Sequence, residues 1–150
     1  MGKCVGKDCA VKISTNAVTY MGTWSLSGTS VDQLDTSAFG DTWKQYSFGL
    51  KDGGQISFAG FYDPADTTGQ NAFRFANCQN SALTTIRLYV NSVSYYEPCQ
   101  TTSYFSPTIT NVASTVLSSV YITSFDISAD KSGMVNVSFT AKVSGVMVLI

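Results

Sequence analysis

Apolar and polar residues alternate with a period of two in four separate segments of this 150-residue chain. The segments are 18–27, 55–62, 85–90 and 135–143; one face of each is largely apolar, and the other carries mainly Ser, Thr and further polar residues. Successive side chains of a β-strand point to opposite faces of its sheet. The alternation therefore predicts four strands, each with one buried and one wet face.

A fifth strand is predicted over Tyr121–Ala129. The turn 130–133, with its Gly, joins it to the strand that begins at Val135, which makes a hairpin. A second turn is predicted at Asp52-Gly53-Gly54, and Asp63-Pro64 ends the strand that follows this turn, because proline cannot donate to a sheet ladder. Connections this short favour antiparallel pairing.

One helix is predicted over Thr68–Asn77. Thr67 and Gln70 have the spacing of a capping box, and the carboxylate of Asp66 lies near the positive end of the helix. The same Asp66, with Asp63, suggests calcium ligation as an alternative, but turn formation and helix capping are the favoured roles. A short helical turn at Asp41–Tyr46 is a weaker prediction. The coarse result is a mainly antiparallel β protein with one packed helix.

The composition argues against an enzyme. The chain has no His and a single Glu, Glu97, which removes histidine-based triads, histidine metal sites and most acid–base schemes at neutral pH. Nine basic and ten acidic residues give a net charge of -1, which excludes a basic nucleic-acid binder that acts by neutralising phosphates. We therefore predict no catalytic residue, no cofactor and no metal ligand.

The N-terminus has no apolar run of signal-peptide length, so we expect the chain to stay at first where it is made. No segment approaches the roughly 20 apolar residues that span a bilayer, and membrane insertion is not expected. Cys4, Cys9, Cys78 and Cys99 are expected to be free thiols in such a compartment. Disulfides remain an alternative, as does a zinc site, although the separation of the last two cysteines does not suit a second zinc knuckle.

Two long loops are predicted, at 28–40 and 98–119, and aromatic residues are dense in the first half of the chain. One helix cannot cover both faces of the sheet, and an uncovered apolar face needs another chain. We therefore expect self-assembly. The predicted contact residues between copies are Phe39, Asp41, Trp43, Tyr46, Leu50, Asp52, Phe61, Tyr62 and Phe73.

Three consecutive runs carry a family resemblance: 36–46 (TSAFGDTWKQY), 49–58 (GLKDGGQISF) and 60–70 (GFYDPADTTGQ). Their ordered combination resembles the major tail tube proteins of long-tailed, siphovirus-type bacteriophages, over about half of the chain. The N-terminal cysteine pair departs from the family pattern, and the immunoglobulin-like domain of some members is absent from this sequence.

The resemblance implies a single tail tube domain over 1–150: an antiparallel β-sandwich or partial barrel with one flanking helix. It also implies stacked rings, usually hexameric, whose hairpins pair edge to edge around a lumen through which DNA leaves without sequence-specific binding. The N-terminal arm (1–17) and the long loop (28–41) would bridge stacked rings, so removing the arm should spare the fold. The implied partners are other copies of the chain and the tape measure, terminator and distal tail proteins.

The implied location is the tail of the virion, after assembly in the cytoplasm of the bacterial host. Two alternatives stay open. One is a related ring-forming tail component, either a tail terminator or a contractile-tail tube. The other is a monomeric β-sandwich module that binds carbohydrate through Trp24 or Trp43.

Overall fold

Two antiparallel sheets and one helix share a single core in the computed structural model, which describes residues 3–100 and 117–150. Most of the predicted loop 98–119 lies outside the described residues. The elements are a 3-10 turn (Gly6–Asp8), β1 (Ala10–Ile13), β2 (Asn16–Ala17), β3 (Met21–Ser27), β4 (Ser30–Asp35), β5 (Tyr46–Asp52), β6 (Gln55–Phe61), α1 (Gln70–Gln79), β7 (Ala82–Leu83), β8 (Ile86–Tyr89), β9 (Tyr95–Pro98), β10 (Ser119–Ser128), β11 (Asn136–Ser144) and β12 (Met147–Leu149).

The first sheet has the strand order β12-β9-β8-β1-β2, and the second has the order β3-β6-β11-β10-β7. β4 and β5 form a separate two-stranded sheet. Every pairing is antiparallel, which confirms the predicted mainly β, antiparallel fold with one helix. The indole Nε1 of Trp24, on β3, donates to the carbonyl oxygen of Tyr89, on β8, at 3.2 Å and so ties the two sheets together.

An aromatic cluster fills the centre of the core. The rings of Phe58 and Phe139 lie 5.1 Å apart on neighbouring strands of the second sheet, and Phe73 of α1 lies 4.8 Å from Phe58 and 5.5 Å from Phe139. Phe73 is 0% exposed. Its prediction as a contact between copies is therefore wrong, because the helix turns this side chain inward against the sheet.

The carboxylate of Asp66 caps α1. It accepts hydrogen bonds from the backbone N–H groups of Gly69 and Gln70, and from that of Thr19 at 3.0 Å. The predicted capping box is wrong: Gln70 is buried, and its amide instead donates to the carbonyls of Thr19 and Phe61, at 2.8 and 2.7 Å. The helix starts two residues later than predicted; Asp66 fastens it to Thr19, just before β3, and Gln70 fastens it to the end of β6.

The beginning of the chain differs from the arm that the resemblance implies for 1–17. Residues Ala10–Ile13 form β1, which lies between β8 and β2 inside the first sheet, and Val11 is 1% exposed. The expectation that removal of 1–17 spares the fold is therefore wrong, because the removal takes away β1 and β2 and, with them, the buried Val11. Among the described residues, no helix is long and apolar enough to cross a bilayer.

Candidate functional site

The most exposed part of the described structure is a β-hairpin made of β4 and β5. Its strands continue β3 and β6: the last pair of the second sheet at this end is Ser27 with Gln55, and the first pair of the hairpin is Ser30 with Asp52. β3 with β4, and β5 with β6, thus form one two-stranded ribbon that extends past the end of the second sheet. The loop predicted over 28–40 is wrong for the residues of β4, and the predicted helical turn at 41–46 is absent.

Neither face of the hairpin is covered, and every residue of both strands is exposed. A two-stranded ribbon without a packed face is marginally stable in water, so its apolar side chains contribute little to its own folding. Seven of the eighteen large hydrophobic side chains that are exposed in the described residues belong to this one element. They are Val31, Leu34, Phe39, Trp43, Tyr46, Phe48 and Leu50.

The tip of the hairpin, residues 36–45, is held by its own hydrogen bonds. Asp35 accepts from the N–H of Ser37 at 2.9 Å, and Asp41 accepts from the N–H of Ala38 at 2.7 Å. The hydroxyl of Ser37 accepts from the N–H of Gln45 at 2.8 Å. Hydrogen bonds from Ser37 also hold the pKa of Asp35 below its ordinary value. The tip is therefore a preorganised loop.

Two aromatic rings project from this preorganised tip. Phe39 is fully exposed, and Trp43 is 83% exposed. Among the described residues, neither ring stacks against another aromatic ring, and an exposed aromatic pair on an ordered loop is typical of a protein–protein contact. The tip presents these rings at the point farthest from the core along the ribbon.

A joint fixes the direction of the hairpin where it leaves the second sheet. Lys142 of β11 donates to both carboxylate oxygens of Asp52, at 2.7 and 2.9 Å, and the N–H of Gly54 donates to the same carboxylate at 2.8 Å. The hydrogen bonds from Lys142 first, and then from Gly54, lower the pKa of Asp52. A Cβ at Gly53 would collide with the carbonyl oxygen of Gly145, so only glycine fits there.

The nine predicted contact residues divide into three groups. Phe39, Asp41, Trp43, Tyr46, Leu50 and Asp52 lie on the hairpin or at its joint. Phe61 and Tyr62 lie at the other end of β6, where Phe61 is 43% exposed and Tyr62 is half-buried against the core. Phe73 lies inside the core, as described above.

Sequence reasoning missed the apolar residues of β4, Val31 and Leu34. Val31 and Leu34 are three apart in the sequence, which does not fit a period of two, and the structure has a bulge between Val31 and Gln33 that shifts the register there. The resemblance run began only at residue 36. One sequence feature could have indicated the hairpin. Gly28-Thr29 lies directly opposite Gly53-Gly54, so both strands have a glycine at the point where the hairpin leaves the sheet.

The second sheet leaves two long strand edges open among the described residues. β3 pairs with β6 alone, and β7 covers only Val120 and Tyr121 of the ten-residue β10. Beyond that point the amide of Asn77 donates to the carbonyl of Ile122 at 2.9 Å. Unpaired strand edges are templates for pairing with another chain.

The solvent face of this sheet is rich in hydroxyl groups and nearly uncharged. By the alternation of β3, β6, β10 and β11, its charged side chains in the described strands are Lys142 and Asp126. Lys142 is already paired with Asp52. Hydroxyl side chains on this face include those of Ser25, Ser57, Ser138 and Thr140.

The described residues contain no group of three or more Cys, Asp or Glu placed to hold a metal ion. Cys4, Cys9 and Cys78 are free thiols, and Cys99 is buried. The indole of Trp24, one of the two predicted carbohydrate platforms, is partly buried and committed to the link with Tyr89. The geometry thus offers two open strand edges and a projecting apolar hairpin.

No protein-family model matches the sequence, and a comparison with curated proteins finds no significant match. Solved structures do match. A chain in the virion of a native gene transfer agent particle is 14% identical, with a TM-score of 0.69 over 97% of this chain and 98% of that chain. A chain in the tail of an empty particle of this kind, described with helical refinement and C6 symmetry, matches with the same values.

A chain in a structure of the sheath/tube terminator of an extracellular contractile injection system is 12% identical, with a TM-score of 0.58 over 100% of this chain and 98% of that chain. A chain in the structure of the tube-terminating cap of the anti-feeding prophage is 12% identical, with a TM-score of 0.55 over 100% of this chain and 92% of that chain. The fold is that of chains in tail and tube assemblies. These likenesses extend over the full length of the chain.

Proposed function

We propose that this chain is the structural subunit of a tail tube, in which copies close into rings and the rings stack around a lumen. The observation that carries the proposal is the full-length fold likeness to a chain of a tail with helical and C6 symmetry. A monomeric binding module is disfavoured because, within residues 3–100 and 117–150, two long strand edges of the second sheet and the apolar hairpin are left without partners.

Ring closure follows from the edges of the second sheet. β3 of one copy and the uncovered part of β10 of the next are both long enough to pair, and repetition of that contact around a ring pairs both of these open lengths of the second sheet in every copy. The contact is heterologous, so it closes when the rotation between copies divides a full turn. Six copies per ring is the number that we propose, by analogy with the C6 tail.

The hydroxyl-rich face of the second sheet would then line the lumen. DNA carries a dense row of phosphates, and a basic wall would retain it. On this face Asp52 neutralises Lys142, and the other charge is the acidic Asp126. A wall of this kind suits passage of DNA without sequence-specific binding, and we include that passage in the proposal.

The finer assignment is a major tail tube protein of a long-tailed, siphovirus-type phage, which rests on the residue runs between 36 and 70. It includes assembly in the host cytoplasm, a final place in the virion tail, contacts with tape measure, terminator and distal tail proteins, and no catalytic activity. A tube terminator is the second candidate, favoured by the likeness to the injection-system terminator.

Electron microscopy of the purified chain, with light scattering across a concentration series, tests the proposal. A tube subunit forms rings that extend into tubes of indefinite length, whereas a terminator forms single rings that do not grow. A monodisperse monomer at every concentration would overturn both candidates. A second experiment measures the number of copies of this chain in purified particles that contain it, since a main tube subunit is present in many copies and a terminator in few.

A further inference from the structure

A cluster of charged and aromatic side chains lies on the first sheet, on the face turned away from the core. On the core face, Val11, Ile86 and Leu88 are at most 1% exposed. Successive side chains of a strand alternate between the two faces of its sheet. The opposite face of β1, β8 and β9 therefore carries Lys12, Arg87, Tyr89, Tyr95 and Glu97. We refer to these five residues as the outer cluster.

Both cations of the outer cluster lie over tyrosine rings. The Nζ atom of Lys12 is 4.5 Å from the ring centroid of Tyr89, and the guanidinium carbon of Arg87 is 4.7 Å from that of Tyr95. The two rings are themselves 4.9 Å apart. Cation–π attraction favours these positions, so the two positive charges are held in place before any partner arrives.

The two cations lie side by side with a single carboxylate. Lys12 and Arg87 are direct partners in the pairing of β1 with β8. Like charges opposite each other on neighbouring strands destabilise a sheet. The nearest acid is Glu97, whose Oε2 lies 3.6 Å from Nε of Arg87. The outer cluster thus keeps one positive charge in excess, and such a conflict with the fold's own stability is typical of a functional site.

The donors of these two cations are unused. In residues 3–100 and 117–150, neither Lys12 nor Arg87 donates a hydrogen bond, and Nε of Arg87 is buried without an acceptor. The 3.6 Å separation from Glu97 is too long for a hydrogen bond. Carboxylate and phosphate oxygens are the strongest acceptors for guanidinium and ammonium groups. The excess charge and the unused donors together indicate a site for one oxyanion of charge −1.

The surroundings of the cluster indicate what carries this oxyanion. No large hydrophobic side chain in Ala10–Ile13, Ile86–Tyr89 or Tyr95–Pro98 is exposed, so the face lacks the apolar centre of a protein–protein interface. The net charge of -1 on the chain opposes a densely charged nucleic acid. A sugar polymer with sparse acid groups fits better, because its hydroxyls can also pair with the tyrosine hydroxyls and with Glu97.

We propose that the outer cluster binds an acidic polysaccharide, in which one carboxylate or phosphodiester group per repeat contacts Lys12 and Arg87. In the proposed tube the second sheet faces the lumen, so this face of the first sheet lies on the outside. Every copy then presents one site at a regular spacing, and a repeating polymer binds many sites at once. The outward placement and the repetition rest on the proposed function, whereas the site within one copy does not.

Binding to immobilised polysaccharides, measured by biolayer interferometry, tests the site. The probes are polygalacturonate, which carries carboxylates, poly(ribosyl-ribitol phosphate), which carries phosphodiesters, and neutral dextran. We expect the chain to bind at least one acidic polymer at low ionic strength and to leave dextran unbound, and added salt should weaken the binding. The comparison between the two acidic polymers identifies the preferred oxyanion.

Single substitutions assign the binding to the outer cluster. Lys12→Gln and Arg87→Gln should each weaken binding roughly two- to fivefold in the unassembled chain and more than about tenfold in tubes. Glu97→Gln removes the competing carboxylate and should strengthen binding, which misfolding does not do. Lys131→Gln, at an exposed position in the turn between β10 and β11, is the charge-matched control and should bind like the wild type. Thermal melting checks the fold of each variant.

The outcomes separate the polysaccharide site from the tube function. If tubes form but bind neither acidic polymer, or if folded Lys12→Gln and Arg87→Gln bind like the wild type, the site is wrong and the tube function stands. If the chain forms neither rings nor tubes but binds an acidic polymer through Lys12, the site stands and the tube function falls. Tighter binding of polyglutamate or duplex DNA than of both acidic polymers would overturn the polysaccharide as the ligand.

Discussion

The aromatic residues of this protein serve two regions in opposite ways. In the body, Phe58, Phe73 and Phe139 pack ring against ring and are shielded from water by two sheets and a helix. In the hairpin, Phe39 and Trp43 stand on an ordered tip in contact with solvent. The difference teaches that apolar content alone does not locate a core; the number of neighbouring elements that cover a strand decides whether its side chains stabilise the monomer.

The largest effect on the stability of the monomer is expected from a change in the aromatic cluster of the core. Phe139→Ala removes a ring that contacts Phe58, Phe73 and Phe125, and the free energy of unfolding should fall by about 3–5 kcal/mol. Phe48→Ala, in the hairpin, is the matched control and should change it by less than about 0.5 kcal/mol. Urea unfolding followed by circular dichroism measures both, and similar losses for the two variants would contradict the comparison.

A smaller loss is expected from Asp66, which fastens the helix to the body. Asp66→Ala leaves the backbone N–H groups of Thr19, Gly69 and Gln70 without their acceptor and should cost about 1.5–3 kcal/mol. Asp32→Asn, on the exposed hairpin, is the control and should be neutral. Chemical unfolding at neutral pH distinguishes the two.

The same carboxylate gives the body a pH dependence. Burial alone would raise the pKa of Asp66, but the hydrogen bonds from Thr19, Gln70 and Gly69 outweigh it and lower the pKa. A lowered folded-state pKa contributes stability above the ordinary carboxyl pKa near 3.8 and loses it as the pH falls through the folded value. Acid titration should therefore destabilise the wild type more than Asp66→Ala, and parallel acid profiles would contradict this assignment.

The next largest loss of stability is expected from a change at Gly53, in the joint between the body and the hairpin. Gly53→Ala places a Cβ against the carbonyl of Gly145 and the side chain of Val143, and it should cost about 1–3 kcal/mol while it turns the hairpin away from its direction. Gly6→Ala, which meets open space, is the control. Thermal melting measures the cost, and electron microscopy should show fewer tubes. Normal melting with normal tubes would mean that the joint tolerates a side chain.

The smallest effect on the monomer, and a large one on assembly, is expected from Trp43→Ala. Its melting temperature should stay within a degree or two of the wild type, because the indole is 83% exposed and makes no core contact. Tube formation should be lost. Val93→Ala, another exposed apolar position outside the hairpin, should alter neither property.

Trp43 also reports on its own environment. In a Trp24→Phe background the emission comes from Trp43 alone, and it should shift to shorter wavelength when tubes form, because docking removes the indole from water. An unchanged spectrum in tubes that are visible by microscopy would place the tip of the hairpin outside every contact between copies.

The sequence predicted best those elements that bury one face. β6, β10 and β11 follow the period of two because Ile56, Val120 and Val137 meet the core while their neighbours meet water. The helix was predicted two residues early, because its cap comes from Asp66 across a turn rather than from Thr67 at capping-box spacing.

The hairpin and β1 were harder to predict for opposite physical reasons. β4 has no covered face, and its bulge breaks the alternation, so nothing in Ser30–Asp35 marks a strand. β1 is short, and only Val11 is fully buried, so its pattern is too brief to separate it from an arm. The shallow cleft between the ends of β3, β6, β10 and β11 could not be predicted, because it exists only where strands that are distant in sequence come together.

The continuity of β3 with β4 and of β5 with β6 has a mechanical consequence. A pull on the hairpin along its strands passes through covalent backbone into β6, which is paired on both sides, with β3 and with β11. The ladder hydrogen bonds lie across that pull and are loaded in shear, all together, instead of being peeled apart one at a time. In the proposed tube, tension that reaches the hairpin would therefore be borne by the paired strands of the second sheet.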